Sequence, residues 1–81
     1  MASDIANRLR HELAVMLERP VSEIGISMSF AQLGVDSGHS THLLLALEDW
    51  LKIELDAEIA LEMETIWELA QYAARLRASG A

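Results

Sequence analysis

Apolar residues recur every three or four positions along most of this 81-residue chain, and this helical period restricts the fold more than any other feature. The first such face has spacings of four, four and three: Ile5, Leu9, Leu13 and Met16. It predicts a helix over residues 4–18, with Ser3 or Asp4 as its N-cap. Pro20 follows, and proline cannot continue a helix.

A second apolar stripe predicts a helix over residues 37–52, with Asp36 or Ser37 as the N-cap. Its buried positions are Leu43, Leu44, Leu47 and Leu51. Residues 58–62 predict a short helical turn that points Ile59 inward. No run alternates for long enough to form a sheet. The chain therefore predicts an all-α fold, a small four-helix bundle of three main helices and one short helix.

The last helix begins at a capping box, in which Thr65 and Glu68 satisfy each other's free backbone donors. It runs to about residue 78, and Gly80 lies past its end. The predicted inward residues are Ile66, Leu69, Ala70, Ala73 and Leu76. Beside this core, Trp50 and Trp67 are each expected at its edge, where tryptophan serves either packing or partner contact.

The long first loop, residues 21–35, differs from these helices because it has two glycines and only scattered apolar side chains. Those side chains are predicted to hold it against the core: Ile24, Ile26, Met28, Phe30 and Leu33. Within it, Ser29 is predicted to cap a single helical turn over residues 30–33. A loop this long in a compact domain usually has a function.

Composition excludes several classes of protein. A chain of 81 residues predicts one domain over residues 1–81. It has no cysteine, which excludes disulfide scaffolds and thiol nucleophiles, and its longest apolar run of five residues cannot span a bilayer. The formal charge is −7, with ten acids and one base over residues 20–74, so nucleic acid is not an expected partner. No secretion signal is visible, which permits a cytoplasmic protein.

Residues capable of catalysis are sparse. His39 and His42 are spaced to lie on one helical face, but a metal site needs three or four convergent ligands, so no metal is predicted. Asp36, Ser37 and His39 are too close along one turn to form a catalytic triad. The chain is therefore not expected to be an enzyme.

Ser37 remains, exposed at the start of a helix after a glycine turn. One interpretation is an ordinary helix cap. The other is a covalent attachment point, because a helix N-terminus presents free N–H groups and a partial positive charge to a phosphodiester. Gly34 and Gly38 would leave room for the active site of a separate transferase.

The run Phe30-x-x-Leu33-Gly34-Val35-Asp36-Ser37 resembles the signature of acyl and peptidyl carrier proteins. The resemblance covers nearly the whole chain and implies a small helical bundle. It implies that Ser37, preceded by Gly34 and Asp36 in the motif, receives 4′-phosphopantetheine from coenzyme A, and that acyl cargo is carried as a thioester. It also implies a phosphopantetheinyl transferase and the acyl-loading and chain-extending enzymes of a synthase as partners, with the carrier itself a monomer.

Two residues depart from the family pattern, which usually has Leu or Ile where this chain has Gly38 and a glutamate where it has His42. The outward face of the 37–52 helix is the predicted docking surface: Gly38, Thr41, His42, Leu45, Glu48 and Asp49, with Trp50 as a further apolar contact. The run Leu47-Glu48-Asp49-Trp50-Leu51 is similar to carriers of polyketide and hybrid synthases. Carriers of primary fatty-acid synthases are less similar to it.

Two functions therefore stay open. The first is a non-catalytic carrier in polyketide, hybrid nonribosomal peptide or fatty-acyl assembly. The second is an unmodified acidic helical module that docks a basic partner, with Ser37 acting only as a cap.

Overall fold

The computed structural model describes residues 1–79, and Gly80, predicted to follow the last helix, lies outside this range. The described part contains five α-helices and one 3-10 turn. Their bounds are α1 Ala2–Leu17, the 3-10 turn Val21–Glu23, α2 Phe30–Leu33, α3 Ser37–Leu51, α4 Ala57–Glu62 and α5 Ile66–Ser79. The predicted all-helical fold is confirmed, and the predicted turn over residues 30–33 is α2.

The core lies where α1, α3 and α5 meet. The predicted inward faces supply most of it, and the eight largest fully buried side chains are Ile5, Leu9, Leu13, Ile24, Leu43, Leu47, Ile66 and Leu69. Two predicted core residues, Met16 and Leu76, are only partly buried against it. Tyr72 is buried as well, and its hydroxyl accepts a hydrogen bond from the Asp56 amide at 3.3 Å.

The N-cap prediction for the first helix is wrong. Ser3 and Asp4 both lie inside α1, whose N-cap is Met1 and has no side-chain hydrogen bond. At the other end, the chain leaves α1 through Glu18 in the left-handed conformation, two residues before Pro20.

The first loop is held by hydrogen bonds as well as by apolar contacts. The Arg10 guanidinium on α1 donates to the carbonyls of Ile24 at 2.7 Å and Val21 at 3.0 Å. An isolated antiparallel bridge pairs Ser29 with Thr65 at the start of α5. The predicted inward position of Ile26 is wrong, because its carbonyl accepts from the Trp67 amide at the rim and its side chain is exposed.

Two details of the second half also differ from prediction. Ile59 is 41% exposed, and the buried residue of α4 is its neighbour Ala60. The helix begins one residue earlier than predicted, capped by Asp56, which turns Ala60 inward instead. At α5, Thr65 accepts from the Glu68 amide as predicted, but the Glu68 carboxylate reaches back to the amide of Glu64 at 2.7 Å.

Candidate functional site

The backbone turn before Ser37 depends on Gly34. This residue ends α2 with φ = 81°, a left-handed conformation that side chains disfavour. A Cβ built there would have no atom within 4 Å, so Gly34 is required by its dihedral angle and not by close packing. The Val35 amide then donates to the Phe30 carbonyl at 2.9 Å, which closes the turn and directs the chain into α3.

Asp36 is the N-cap of α3. The sequence left Asp36 and Ser37 as alternatives, and the structure selects Asp36. Its Oδ1 accepts from the His39 amide at 2.8 Å, while His39 Nδ1 lies 3.4 Å from the Asp36 amide and completes a reciprocal capping box. The hydrogen bond from the His39 amide holds the pKa of Asp36 below its ordinary value. Partial desolvation opposes this shift, and the nearby imidazole adds to it. The turn that carries Ser37 is thus fixed by an ionised aspartate.

Ser37 is the first residue of α3 and is exposed. Among residues 1–79, its hydroxyl forms no side-chain hydrogen bond, while its carbonyl accepts from the Thr41 hydroxyl at 2.9 Å. The hydroxyl therefore lies at the positive end of a 15-residue helix and is open to an incoming reagent.

A cleft of about 360 Å³ begins beside Ser37 and runs between α3, α4 and α5. Its lining is mostly apolar: Phe30, Val35, Leu43, Leu44, Ala60, Leu61, Met63 and Leu69, with Asp36, Ser37 and Ser40 at the polar end. Sequence reasoning missed this cleft because it placed Ile59 inward. Once α4 begins at Ala57, Ala60 lies at the cleft wall, and its small side chain leaves the space open.

The predicted docking residues on α3 share one outward face. Gly38, Thr41, His42, Leu45 and Asp49 are exposed, and Leu45 is 61% exposed. Leu61 of α4, 55% exposed, joins Leu45 at the edge of a small second cleft of about 110 Å³. Leu45 and Leu61 together make an apolar contact patch that the sequence alone located only in part.

Glu48 differs from the other acids of this face. It is half-buried, and its carboxylate accepts from the Leu55 amide at 2.8 Å, which holds the loop between α3 and α4 against the helix. Asp49 is free of such a structural bond and lies 3.6 Å from the fully solvated ammonium group of Lys52.

Trp50 lies on a different side of α3, next to α1. The Arg8 guanidinium stacks over its ring at 5.2 Å from the centroid, and both line a groove of about 310 Å³ between α1 and α3. Trp67 is half-buried at the core edge, as predicted. Trp50 is therefore separated from the Leu45 face and contributes to another surface.

The sequence over residues 1–73 matches the family described as "Phosphopantetheine attachment site". The chain belongs to this family. Members carry a covalently attached 4′-phosphopantetheine group, so the predicted prosthetic group is confirmed at the level of the family.

Two known proteins place the chain more closely. Acyl carrier protein 3 of Ralstonia nicotianae is 33% identical over 69 residues, which are 84% of this chain and 79% of that protein. The fold matches the NMR structure of the HMG-ACPI domain from the CurA module of Lyngbya majuscula, with a TM-score of 0.83 and 28% identity. That match covers all of this chain and 83% of the other. The chain is an acyl carrier protein homologue, and the predicted carrier role is confirmed.

Within residues 1–79, no helix has the length and the apolar character that crossing a bilayer requires.

Proposed function

We propose that Ser37 is the attachment point of the arm and that the chain is a non-catalytic acyl carrier. The observation that carries this proposal is the position of Ser37, exposed with a free hydroxyl as the first residue of α3. When bound, the arm supplies the thiol that holds acyl groups as thioesters. The chain itself has no cysteine to compete for them.

The residues around Ser37 fit a phosphodiester. The N-terminus of α3 favours negative charge, since its first N–H groups point away from the helix. Gly38 adds no side chain next to the serine. In the modification, Ser37 Oγ forms a bond to phosphorus as the bond to the adenosine-bisphosphate oxygen of coenzyme A breaks. No side chain among residues 1–79 hydrogen-bonds to the Ser37 hydroxyl, so its proton passes to a base on the transferase.

The cleft beside Ser37 supports an acyl cargo with an apolar segment. It opens at the serine, and its walls are aliphatic side chains of α3, α4 and α5. Aliphatic walls give a hydrocarbon segment a place out of water but offer few groups that recognise a polar one.

Partner enzymes are proposed to dock on the outward face of α3 together with α4. Gly38, Thr41, His42 and Asp49 are exposed on the same face of α3 as Leu45, so the apolar Leu45–Leu61 patch has polar and acidic neighbours. Basic groups around an apolar pocket on a transferase or synthase enzyme would complement it. Trp50 is proposed as a separate contact on the α1 side.

The pathway proposed is polyketide or hybrid nonribosomal peptide assembly, with fatty-acyl assembly as the wider class. The support is the Leu47-to-Leu51 run and the structural similarity to an HMG-ACPI domain. Because coenzyme A donates the arm, the proposal also places the carrier in the cytoplasm, as one domain over residues 1–81 acting as a monomer.

The deciding experiment is intact-mass analysis after incubation with coenzyme A and a phosphopantetheinyl transferase. The wild type should gain one phosphopantetheine group and Ser37→Ala none. Ser40→Ala is the matched control, since Ser40 lies one turn further along α3 and should leave modification unchanged. Modification that persists in Ser37→Ala would remove the site assignment. No gain in any variant would favour the unmodified interaction module.

A further inference from the structure

The capping box before Ser37 uses a histidine where glutamate or glutamine usually stands. In the standard motif, the side chain at the third helical position accepts from the N-cap amide. Here that position is His39, and its Nδ1 lies 3.4 Å from the Asp36 nitrogen. The same Nδ1 lies 3.2 Å from Asp36 Oδ1. One nitrogen therefore faces both a donor and an acceptor of the same residue.

These two contacts exclude each other. Nδ1 accepts the Asp36 amide proton only when it carries no proton itself. It donates to Asp36 Oδ1 only when it is protonated. Protonation of the imidazole thus exchanges a backbone hydrogen bond for an ion pair, and the Asp36 amide, directly before Ser37, loses its acceptor.

Gly38 leaves room for this arrangement. A Cβ built on Gly38 would lie 3.3 Å from Asp36 Oδ1, closer than side chains normally pack. Without that atom, the carboxylate is free to lie over the first turn, within reach of both the amide and the imidazole of His39. Gly38, which departs from the common carrier pattern, and His39, which departs from the usual capping box, therefore act on the same aspartate.

Within residues 1–79, the other charged groups around α3 form no ion pair with His39. On α1, Arg8 pairs with Glu12 at 3.5 Å, and Arg19, at its end, pairs with Glu23 at 3.2 Å. His39 forms no ion pair with the acids of α4 and α5 that lie nearest to α3 in sequence: Glu58, Glu62 and Glu68. The other histidine of α3, His42, lies one turn further along the helix. Among the described residues, Asp36 is the carboxylate in ion-pair contact with this imidazole.

We propose that His39 is a positioning residue that acts through Asp36 and makes the turn carrying Ser37 sensitive to pH. In the neutral form with the proton on Nε2, the capping box is closed on both sides, and Ser37 is held at a defined helix start. In the protonated form the Asp36 amide is released, and the backbone before Ser37 loosens. Histidine is the residue type that ordinarily serves as a proton-sensitive switch in proteins.

The first test is amide hydrogen exchange of Asp36 in the unmodified protein, followed by NMR from pH 8 to pH 5.5. After correction for the intrinsic pH dependence of exchange, protection of this amide should fall about two- to fivefold as the His39 imidazole titrates. His39→Gln, which accepts in the same way but does not titrate, should keep protection constant. His39→Ala should show low protection throughout.

The second test rests on the proposed function of Ser37. Relative modification rates of wild type and His39→Gln, measured with one transferase at each pH, cancel the titrations of that enzyme. The wild-type rate divided by the His39→Gln rate should decrease about two- to fivefold from pH 8 to pH 5.5. His11→Gln, at an exposed histidine on α1 outside the proposed docking face, is the matched control and should follow the wild type.

The two tests distinguish failure of the Ser37 assignment from failure of the His39 proposal. Absence of any modification contradicts the role of Ser37, while the exchange data still judge His39. Asp36 protection that stays constant while the imidazole titrates overturns the proposal. A wild-type to His39→Gln ratio that is flat across this range overturns it as well.

Discussion

The core shared by α1, α3 and α5 and the short helix α4 bury their apolar residues to very different degrees. Ile5, Leu47 and Ile66 in the core are almost completely buried. By contrast, α4 buries only Ala60 and leaves Ile59 and Leu61 exposed, and the cleft beside Ser37 opens there. Stability is therefore concentrated where the inward faces of α1, α3 and α5 meet. The α4 side retains apolar surface that cargo or partners can cover.

Two leucines on α3 test this division with the largest expected effect. Leu47 faces the core and is 2% exposed, so Leu47→Ala should lower the free energy of unfolding by roughly 2–5 kcal/mol. Leu45→Ala, on the outward face, should lose well under half as much. Urea denaturation followed by circular dichroism measures both. Similar losses of unfolding free energy in the two variants would mean that Leu47 and Leu45 do not lie on an inward and an outward face of α3.

Prediction from sequence succeeded where periodicity decides the structure. The stripe ending at Leu51 fixed the inward face of α3, because four leucines on one side of a helix have one way to leave water. It failed at α4. Six residues are too few for apolar periodicity to show which residue faces inward, and the helix begins at the Asp56 cap, one residue earlier than predicted. The acceptor role of Glu48 was also beyond sequence, since Leu55 is seven residues away and meets it only through the loop.

The same limit applies to the site. The start of α3 could be predicted, and its cap could be narrowed to Asp36 or Ser37, because caps follow residue type and local spacing. His39 lies at the capping-box position, but histidine is outside the usual pattern and gave no signal. The cleft required knowledge of how α4 packs against α3 and α5, which depends on contacts distant in sequence.

Glu48 and Asp49, near the end of α3, are expected to affect different properties: Glu48 affects stability and Asp49 affects docking. Glu48→Lys removes the acceptor of the Leu55 amide and should cost about 1–2 kcal/mol of stability. Asp49→Lys should change stability little, because its contact with Lys52 is fully solvated. It should slow modification of Ser37 instead, mainly through the association rate, and added salt should reduce the difference from wild type.

Glu48→Gln is the matched control for this pair, since it keeps an acceptor oxygen but loses the charge. It should recover most of the stability lost in Glu48→Lys. If Asp49→Lys is modified at the wild-type rate in low salt, the acidic rim does not contribute to transferase docking.

Acid should destabilise the start of α3, where Ser37 lies, before it affects the core of α1, α3 and α5. The pKa of Asp36 is lowered in the folded protein, first by the hydrogen bond from the His39 amide. Its contribution to stability is therefore complete above the ordinary aspartate value near pH 4 and is lost as the pH falls through the lower folded value. Asp36→Asn retains a good N-cap that does not titrate. Thermal melts should show a smaller decrease between pH 4 and pH 2 for this variant than for wild type.

The smallest expected effect on stability is at Gly38. Replacing glycine in the first turn favours the helix by up to about 1 kcal/mol. The new Cβ, 3.3 Å from Asp36 Oδ1, displaces the carboxylate and costs part of the cap, so Gly38→Ala should remain within about 0.5 kcal/mol of wild type.

Gly38→Leu then isolates the apolar contact with partners, because it shares the Cβ of Gly38→Ala and adds only an isopropyl group. Its side chain would extend the outward face that holds Leu45. Modification rates with several transferases should be higher for Gly38→Leu than for Gly38→Ala, and the difference should persist in high salt, since apolar contact is not screened. Equal rates for the two variants would show that the Leu45–Leu61 patch alone supplies the apolar part of docking. Docking would then need no apolar side chain directly after Ser37.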